Sequence, residues 1–461
     1  MNTVRKILVL FVALLAGIFA SAAETHADSI LASSCSASDV SNAIVSASAG
    51  DTVTVPSGTC TWSSGLSLTK HISLIGGYGG TTTITGSITI DPTIDASNLL
   101  LRVSNFTFNG GGATIMMFGT WSKSYSPGFD MMTNIRIDHI KFQNFYPGMA
   151  IWNTGTFYGV VDNNQFGTPA NPCGYCMWFQ PNGSDAQAHN YFGISPQNIF
   201  EPGSEKFIYF EDNIFYVGHD ISRVVVHQYG SRGAYRYNTI YAPSTDGLFE
   251  LHGHQGGMPA TFGTEIYGNR VEGSNSGFFR ARSGKSFAYY NSVNNAVPDF
   301  NSYWGSMNTC PTLAPYLQIE HDSYFWNNRS GYTGATQTWS NSGGVQGACA
   351  GLSNIPQAGR DFFTDSTTPG VTSGLLANRP ASCSIGQGYW ATNQSTTDLT
   401  GFVGDINTYP SRQSIVGTLY KCTALNTWTS FYQPYTYPHP LTTGSSPSTQ
   451  ILPPTNVQII Q

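Results

Sequence analysis

Short segments that alternate hydrophobic with polar or aromatic residues recur through the middle of the chain. Each covers about four to eight positions, as a β-strand with one buried face does. Many contain an asparagine two residues before a hydrophobic one, as in Asn164-Gln-Phe166 and Asn238-Thr-Ile240. The full series is Asn164, Asn213, Asn238, Asn269, Asn291 and, less regularly, Asn327 or Asn328.

The spacing of these asparagines is typical of a coil. They are 49, 25, 31 and 22 residues apart (213 − 164, 238 − 213, 269 − 238 and 291 − 269), and the first step is long enough for two turns. Segments that return at such intervals indicate a solenoid. Stacked asparagine side chains can hydrogen-bond from one turn to the next. The pattern therefore predicts an all-β solenoid, a parallel β-helix with an asparagine ladder.

The N-terminal region has a different pattern, a short helical segment followed by short strands. Asp39-Val-Ser-Asn-Ala-Ile44 precedes segments from Gly50 to Gly58 and from Leu68 to Gly76. This order resembles the N-terminal cap of secreted pectate-lyase-like proteins, which implies a right-handed parallel β-helix. A capping helix is expected because an open end would expose the core and unpaired backbone groups.

Four segments are expected along the chain. Residues 1–23 resemble a signal peptide, with Arg5 and Lys6 before an apolar stretch and Ala20-Ser-Ala22 at its end, so we expect a secreted protein. No later stretch approaches the roughly 18 apolar residues of a membrane span. Residues 24–375 are assigned to the β-helix with its cap, 376–441 to a disulfide-stapled C-terminal tail, and 442–461 to a disordered Ser/Pro/Thr-rich tail.

Composition narrows the possible partners. Charged residues make up 10% of the chain and the net charge is −6, which argues against a nucleic-acid-binding protein. The even number of cysteines favours disulfides in an exported protein, although the sequence does not determine their connectivity. Neighbour pairing would join Cys35 to Cys60, Cys173 to Cys176, Cys310 to Cys349, and Cys383 to Cys422.

Candidate chemistry lies on three strands that precede successive ladder asparagines. Matching these strands by pattern predicts that His227, His252 and Arg282 form one column, which Asn153 could join, and that Val225, Glu250 and Arg280 form the column two residues earlier. Neighbouring strands lie about 4.8 Å apart, so these side chains would be neighbours. Lys285 completes a local concentration of basic residues with Arg280 and Arg282.

This combination suits β-elimination from a polysaccharide that contains uronic acid. Cations neutralise the sugar carboxylate, and a basic side chain removes the acidified C5 hydrogen. Purely structural roles compete, because Glu250 and Arg280 can form a cross-strand ion pair for stability alone. The catalytic candidates are His252, Arg282, Arg280, Lys285, His227 and Glu250. The candidates for substrate binding are His254, Arg232, Arg236, Trp152, Trp178 and Asn153.

A metal is not assigned. Asp162, Glu211 and Asp212 precede ladder asparagines and could bind Ca²⁺, but solvated turn carboxylates are the favoured interpretation. The expected partner is an acidic polysaccharide, bound by a monomer.

A family resemblance covers about 60 residues. Tyr235-Arg-Tyr-Asn-Thr239, Gly247-Leu-Phe-Glu-Leu-His-Gly253 and the segment from Gly277 to Val293 resemble the alginate lyase and chondroitinase B family of polysaccharide lyases. Arg236, His252 and Gly253 match the family pattern. Leu251 stands at the position where the family has an arginine, and Ser231-Arg232 lies near the position of the family's lysine. Arg232, Arg280 or Arg282 would therefore have to take over the roles of that arginine and lysine.

Two other functions remain open. A glycoside hydrolase on the same fold needs two carboxylates roughly 5–9.5 Å apart, and the candidate surface offers Glu250 alone. A carbohydrate-binding protein without catalysis is favoured by the missing lyase arginine and lysine. The lyase is the leading expectation.

Overall fold

The computed structural model describes most of the β-helix and the C-terminal region. The described residues are 27–91, 99–119, 132–154, 157–180, 202–218, 223–228, 230–242, 247–252, 261, 263–273, 278–281, 284–293, 321–331, 357–392, 399–405, 407–408 and 412–443. The expected signal peptide, His254, Arg282, the Cys310 and Cys349 pair and residues 444–461 lie outside these ranges.

The strands are short and their order follows the turns of a coil. In chain order they are β1 (Ser29–Leu31), β2 (Thr52–Leu68), β3 (Ser73–Ile90), β4 (Leu101–Ser104), β5 (Phe106–Asn109), β6 (Met116–Phe118), β7 (Met132–Asp138), β8 (Lys141–Gln143), β9 (Ile151–Asn153), β10 (Phe157–Asp162), β11 (Gln165–Phe166), β12 (Tyr175–Phe179), β13 (Ile208–Glu211), β14 (Ile214–Tyr216), β15 (Arg223–His227), β16 (Arg232–Arg236), β17 (Thr239–Tyr241), β18 (Phe249–Leu251), β19 (Gly263–Tyr267), β20 (Arg270–Glu272), β21 (Phe279–Ala281), β22 (Lys285–Tyr289), β23 (Ser292–Val293), β24 (Ser323–Trp326), β25 (Phe362–Thr364), β26 (Val371–Gly374), β27 (Gly388–Ala391), β28 (Thr418–Ala424) and β29 (Thr427–Tyr432).

Strands β1 to β25 pair in parallel as three faces of a β-helix, which confirms the predicted fold class. The long strands β2 and β3 run through all three faces. Face A is formed by β1, β4, β7, β10, β13, β16, β19, β22, β24 and β25. Face B is formed by β5, β8, β11, β14, β17, β20 and β23, and face C by β6, β9, β12, β15, β18 and β21.

The interior is filled by side chains that stack from turn to turn. On face B, Phe142, Phe166 and Phe215 stack with ring centroids 4.9 Å and 4.5 Å apart, and all three are fully buried. Register explains the stack, because Phe166 pairs with Phe142 on one side and with Phe215 on the other. Each turn thus covers the apolar face of the previous one, as repeat folds require.

The predicted asparagine ladder is present at the corner between faces A and B. The side-chain amides of Asn164, Asn213, Asn238, Asn269 and Asn291 each donate to the side-chain oxygen of the next asparagine at 2.8–3.1 Å, and the series ends at Asn328. The step from Asn164 to Asn213 is a single turn, because β10 pairs directly with β13 and β11 with β14. The two-turn interpretation of that step was wrong.

The corner itself requires a left-handed backbone residue just before each ladder asparagine. Among these residues are Asp212, Tyr237 and Tyr290, with φ of 59°, 59° and 53°. Such angles are uncommon outside glycine, and their recurrence shows that the same tight bend is built on each turn. The bend turns each asparagine inward, where its amide can reach the carbonyl of the preceding turn.

The N-terminal end is closed as predicted, by helix α1 (Ala37–Ser46). The Ser36 hydroxyl caps the helix by accepting from the backbone N–H of Asp39 at 3.2 Å. A disulfide joins Cys35 to Cys60, and the indole of Trp62 donates to the carbonyl of Cys35 at 3.0 Å. The helix is therefore fixed to the first turn at its N-terminal end.

The C-terminal region covers the outer side of face A. Strands β26 to β29 form a separate four-stranded sheet, which begins at Val371, slightly before the boundary expected at residue 376. Buried aromatic residues join it to the coil, including Trp390, whose ring packs at a tilt against Trp326 with centroids 5.1 Å apart. The expected disulfides Cys173–Cys176 and Cys383–Cys422 are formed. Within the described part of the chain, no helix has both the length and the apolar character needed to cross a bilayer.

Candidate functional site

The outer side of face C carries one row of side chains in parallel register. Each member belongs to the strand of a successive turn, and strands in such a sheet are about 4.8 Å apart. The row consists of Met117, Trp152, Trp178, Val226, Glu250 and Arg280. Its first half is apolar and aromatic, and its second half is charged.

The predicted pairing of Glu250 with Arg280 is confirmed, but the match to the preceding turn was wrong by one residue. Glu250 pairs with Val226 rather than Val225, and His227 pairs with Leu251 rather than His252. Because side chains alternate across a strand, a shift of one residue turns a side chain to the opposite face. His227 and His252 therefore do not share a surface.

Glu250 is the centre of a buried charge cluster. Arg223 donates from Nε to Glu250 Oε2 at 2.5 Å, and His252 Nε2 lies 3.3 Å from Glu250 Oε1. The side chains of Arg223 and Glu250 are 4% and 7% exposed, whereas that of His252 is 20% exposed. The imidazole is thus the member of this cluster that solvent reaches most easily.

The local sequence explains why these groups converge. Phe249 and Leu251 point into the core, so the alternation of β18 turns Glu250 outward. His252 follows directly, and its backbone N–H donates to the carbonyl of His227 at 2.8 Å. The side-chain amide nitrogen of Gln228 lies 3.2 Å from His252 Nδ1. The imidazole is therefore oriented from both of its nitrogens.

Arg280 is held beside this cluster by its aliphatic stem. A side chain at Gly247 would meet Arg280 Cγ at 3.1 Å, and Gly247 has a φ of +95° that favours glycine. The stem of Arg280 thus lies over this glycine on the rung next to Glu250. A positive group on that rung is suitably placed to meet an anionic ligand that contacts His252.

The aromatic half of the row continues this surface towards the N-terminus. Trp152 and Trp178 pair in register and both are partly exposed. Trp178 also contacts the ring of Tyr175, with centroids 5.3 Å apart. Indole rings on the outside of a sheet offer flat apolar surfaces of the kind that stack on sugar rings.

His227 lies inside the coil instead. Its ring stacks on Phe179 with centroids 5.4 Å apart, its Nδ1 is 2.8 Å from the Ser231 hydroxyl, and its Nε2 is 2.5 Å from the Tyr235 hydroxyl. Burial lowers the pKa of His227 to about 3, so it stays neutral. Asn153 lies in the same inward-facing column as His227, as the sequence predicted, two turns away. It is buried as well.

The basic residues predicted to cluster are divided between two faces. Lys285 and Arg232 both pair with Gly263 on face A, whereas Arg280 is on face C. Lys285 Nζ is 3.8 Å from Asp322, and burial lowers the pKa of Lys285. Arg232 lies over the ring of Tyr158 at 5.1 Å. The local concentration expected from Arg280 to Lys285 is thus not a single surface, and Arg282 and His254 lie outside the described residues.

Arg236 is fully buried beneath the C-terminal region. It pairs with Glu211 at 2.6 Å and donates to the carbonyls of Tyr435 and Thr436, each at 2.8 Å. This arginine matches the family pattern in sequence, but in this protein it holds the C-terminal segment on face A. A substrate has no access to it in this arrangement.

The carboxylates beside the ladder are ion-paired rather than solvated. Asp162 pairs with Arg136 at 2.8 Å, Glu211 pairs with Arg236, and Asp212 pairs with Arg412. Burial raises the pKa of Glu211 to about 7. The preferred interpretation as solvated turn residues was therefore wrong. In the part of the chain that the structure describes, no three metal-binding side chains come together.

Sequence reasoning missed Arg223 and Gln228. Both lie within or next to β15, in Arg223-Val-Val-Val-His227-Gln228, where the run of valines drew attention to the core. The polar residues at the two ends of this run of valines were the signal from which their role could have been predicted.

Comparison of the chain with models of known families finds no match, and comparison with curated proteins finds no relative.

Proposed function

We propose that the outer side of face C binds an acidic polysaccharide and cleaves it by β-elimination, with His252 as the base. The observation that carries this proposal is the partly exposed imidazole of His252, oriented by Glu250 at 3.3 Å and Gln228 at 3.2 Å, with Arg280 on the rung beside Glu250. Arg280 would neutralise the sugar carboxylate. Trp178 and Trp152 would stack on sugar rings further along the polysaccharide.

The proposed reaction uses each group once. His252 takes the hydrogen from C5, the electron pair of that bond forms the double bond between C4 and C5, and the bond from C4 to the bridging oxygen breaks. The leaving oxygen takes a proton from water. Positioned acid or base groups contribute about 10² to 10⁴ in rate, so neutralisation of the carboxylate has to supply much of the remainder.

A carbohydrate-binding function without catalysis is the second candidate. It is favoured by the contacts of the charged groups, since Glu250 already accepts from Arg223 and both ring nitrogens of His252 have partners within 3.3 Å. A hydrolase is less well supported. Among the described strands of face C, Glu250 is the only carboxylate, whereas hydrolysis of a glycosidic bond needs two.

The test is incubation with alginate, pectate and glycosaminoglycans. A lyase releases unsaturated uronides that absorb in the ultraviolet, a hydrolase releases reducing ends without that absorbance, and a binding protein releases neither. We expect His252→Ala to lower the rate of product formation by about 10² or more. We expect Arg280→Ala to lower it as well, through weaker stabilisation of the carboxylate.

The matched control is His139→Ala, because His139 is an exposed histidine next to face A, away from the proposed surface. It should leave the rate unchanged. Circular dichroism spectra equal to that of the parent protein would show that each variant is folded. Elimination activity that survives in both His252→Ala and Arg280→Ala would refute the assignment of the reaction to face C.

A further inference from the structure

The Cys173–Cys176 disulfide lies at a corner of the coil, where face B meets face C. Eight residues, 167 to 174, join β11 to β12 there, whereas six residues, 217 to 222, join β14 to β15 on the next turn. Both cysteines are fully buried. The longer of the two connections is thus closed by a covalent ring at the point where β12 begins.

The ring is anchored to both neighbouring turns. Cys173 forms a parallel bridge with Val217 on the following turn, and its N–H donates to the carbonyl of Tyr216 at 2.8 Å. The carbonyl of Cys176 accepts from the backbone N–H of Ala150, on the preceding turn, at 3.0 Å. A short closed ring that is held from both sides has little conformational freedom. The groups that contact it are therefore held in one arrangement.

Arg223 is held by this ring through its backbone. Its N–H donates to the carbonyl of Gly174, inside the ring, at 2.7 Å. The side chain of Arg223 pairs in turn with Glu250, whose carboxylate lies beside His252. The ring is therefore connected to the charged half of the row on face C through one backbone hydrogen bond.

Trp178 is connected to the ring through Tyr175, which lies between the two cysteines. Tyr175 pairs in register with Arg223, and its side chain packs at a tilt against Trp178 with ring centroids 5.3 Å apart. The indole nitrogen of Trp178 is buried, so this edge of the ring is packed against the protein. One ring of four residues thus supports both the aromatic and the charged half of the row.

We infer that the Cys173–Cys176 disulfide is a positioning element of face C, which aligns Trp178 with the charged groups around Glu250. Its role in ligand binding rests on the proposed function, whereas its effect on the two halves of the row can be measured without a ligand. Chain entropy favours this role over one in overall stability, because a disulfide stabilises less when it closes a shorter loop. These two cysteines are 3 residues apart in sequence, against 39 for the pair in the C-terminal region.

The experiment compares Cys173→Ala/Cys176→Ala with the control Cys383→Ala/Cys422→Ala, both in the full chain. Each double variant loses two buried sulfur atoms, but the control disulfide lies in the C-terminal region on face A. We expect the first variant to melt at a higher temperature than the control, because it loses the shorter loop. Amide hydrogen exchange of Arg223 should become about tenfold faster in the first variant alone, since its backbone hydrogen bond is loosened.

Nitrogen-15 NMR of labelled tryptophan gives a second measurement without ligand. The protein has nine tryptophans, so the indole signal of Trp178 is identified as the one missing from Trp178→Phe. In Cys173→Ala/Cys176→Ala we expect this signal to shift and its N–H to exchange faster with water. In the control variant it should stay as in the parent protein.

Binding of alginate, pectate and chondroitin sulfate connects these effects to function. Affinity for any of the three that the parent protein binds should fall by about tenfold in Cys173→Ala/Cys176→Ala, and stay unchanged in the control. Unchanged affinity in that variant would overturn the inference, as would unchanged Arg223 exchange and Trp178 signals.

A Cys173→Ala/Cys176→Ala protein that unfolds, or that melts below the control, would assign the disulfide to overall stability and would also overturn the inference. The proposed function fails separately. If Arg223 and Trp178 loosen as expected but the parent protein neither binds nor cleaves any of the three polysaccharides, the proposed function alone is refuted.

Discussion

Replacing one asparagine of the ladder tests what holds the coil together. Asn238 is fully buried in the middle of the series. Its amide donates to the carbonyl of Phe210 at 2.9 Å and to Asn269 Oδ1 at 2.9 Å. Its oxygen accepts from the backbone and the side-chain amide of Asn213, at 3.0 Å and 3.1 Å. Asn238→Ala removes all four of these hydrogen bonds.

The expected loss can be worked out from these contacts. Four hydrogen bonds at about 1 kcal/mol each, with an added cost for the backbone N–H of Asn213 that stays buried without an acceptor, give about 4–6 kcal/mol. Typical domains are stable by about 5–15 kcal/mol, so the loss is a large fraction of the total. The truncated side chain is polar, so its removal costs little hydrophobic burial, and the effect reports on hydrogen bonding.

The assay is urea unfolding followed by circular dichroism of the strand signal. The exposed Asn42, on the surface of α1, provides the control Asn42→Ala, which should stay within about 0.5 kcal/mol of the parent protein. We expect a much lower unfolding midpoint for Asn238→Ala. Midpoints that coincide for the two variants would show that the ladder is a consequence of the winding and does not stabilise it.

Two further predictions concern the buried charges under the C-terminal region. Arg236→Met leaves Glu211 buried without its partner and should destabilise the protein by about 3–5 kcal/mol. It should also speed chymotrypsin cleavage after Tyr435, whose carbonyl Arg236 holds; an unchanged cleavage rate would contradict this. Burial raises the pKa of Glu265 from 4.5 to about 7, so its folded form holds its proton more tightly than the unfolded chain. Stability from this group is present below about pH 4.5 and is lost as the pH rises through 7. The melting temperature should fall over that range, and Glu265→Gln should flatten the fall; equal slopes would refute the assignment.

The features that could be predicted from sequence are those that repeat or lie close together in the chain. The ladder positions, the capping helix and three disulfide pairs are of this kind, and each is confirmed. Local signals sufficed because a turn of the coil contacts mainly the turns before and after it. The pairing of Glu250 with Arg280 could be predicted for the same reason, since the two strands belong to successive turns.

The candidate site was predicted less well because its geometry depends on register. The sequence pattern of the two strands aligned His227 with His252, whereas in the structure His227 pairs with Leu251. Since a strand has a period of two, this single step decides between the core and the surface. Arg223 and Gln228, which orient Glu250 and His252, have no local signature of their own.

The sequence by itself determined that the chain winds as a β-helix, because hydrophobic alternation and an asparagine before each hydrophobic position are properties of neighbouring residues that recur along the chain. The tertiary structure alone decided which polar groups are accessible. Arg236 is buried by carbonyls of Tyr435 and Thr436, about 200 residues away in the chain. No periodic signal records a contact of that range, so whether a basic side chain on a strand meets a ligand or another part of the protein follows only from folding.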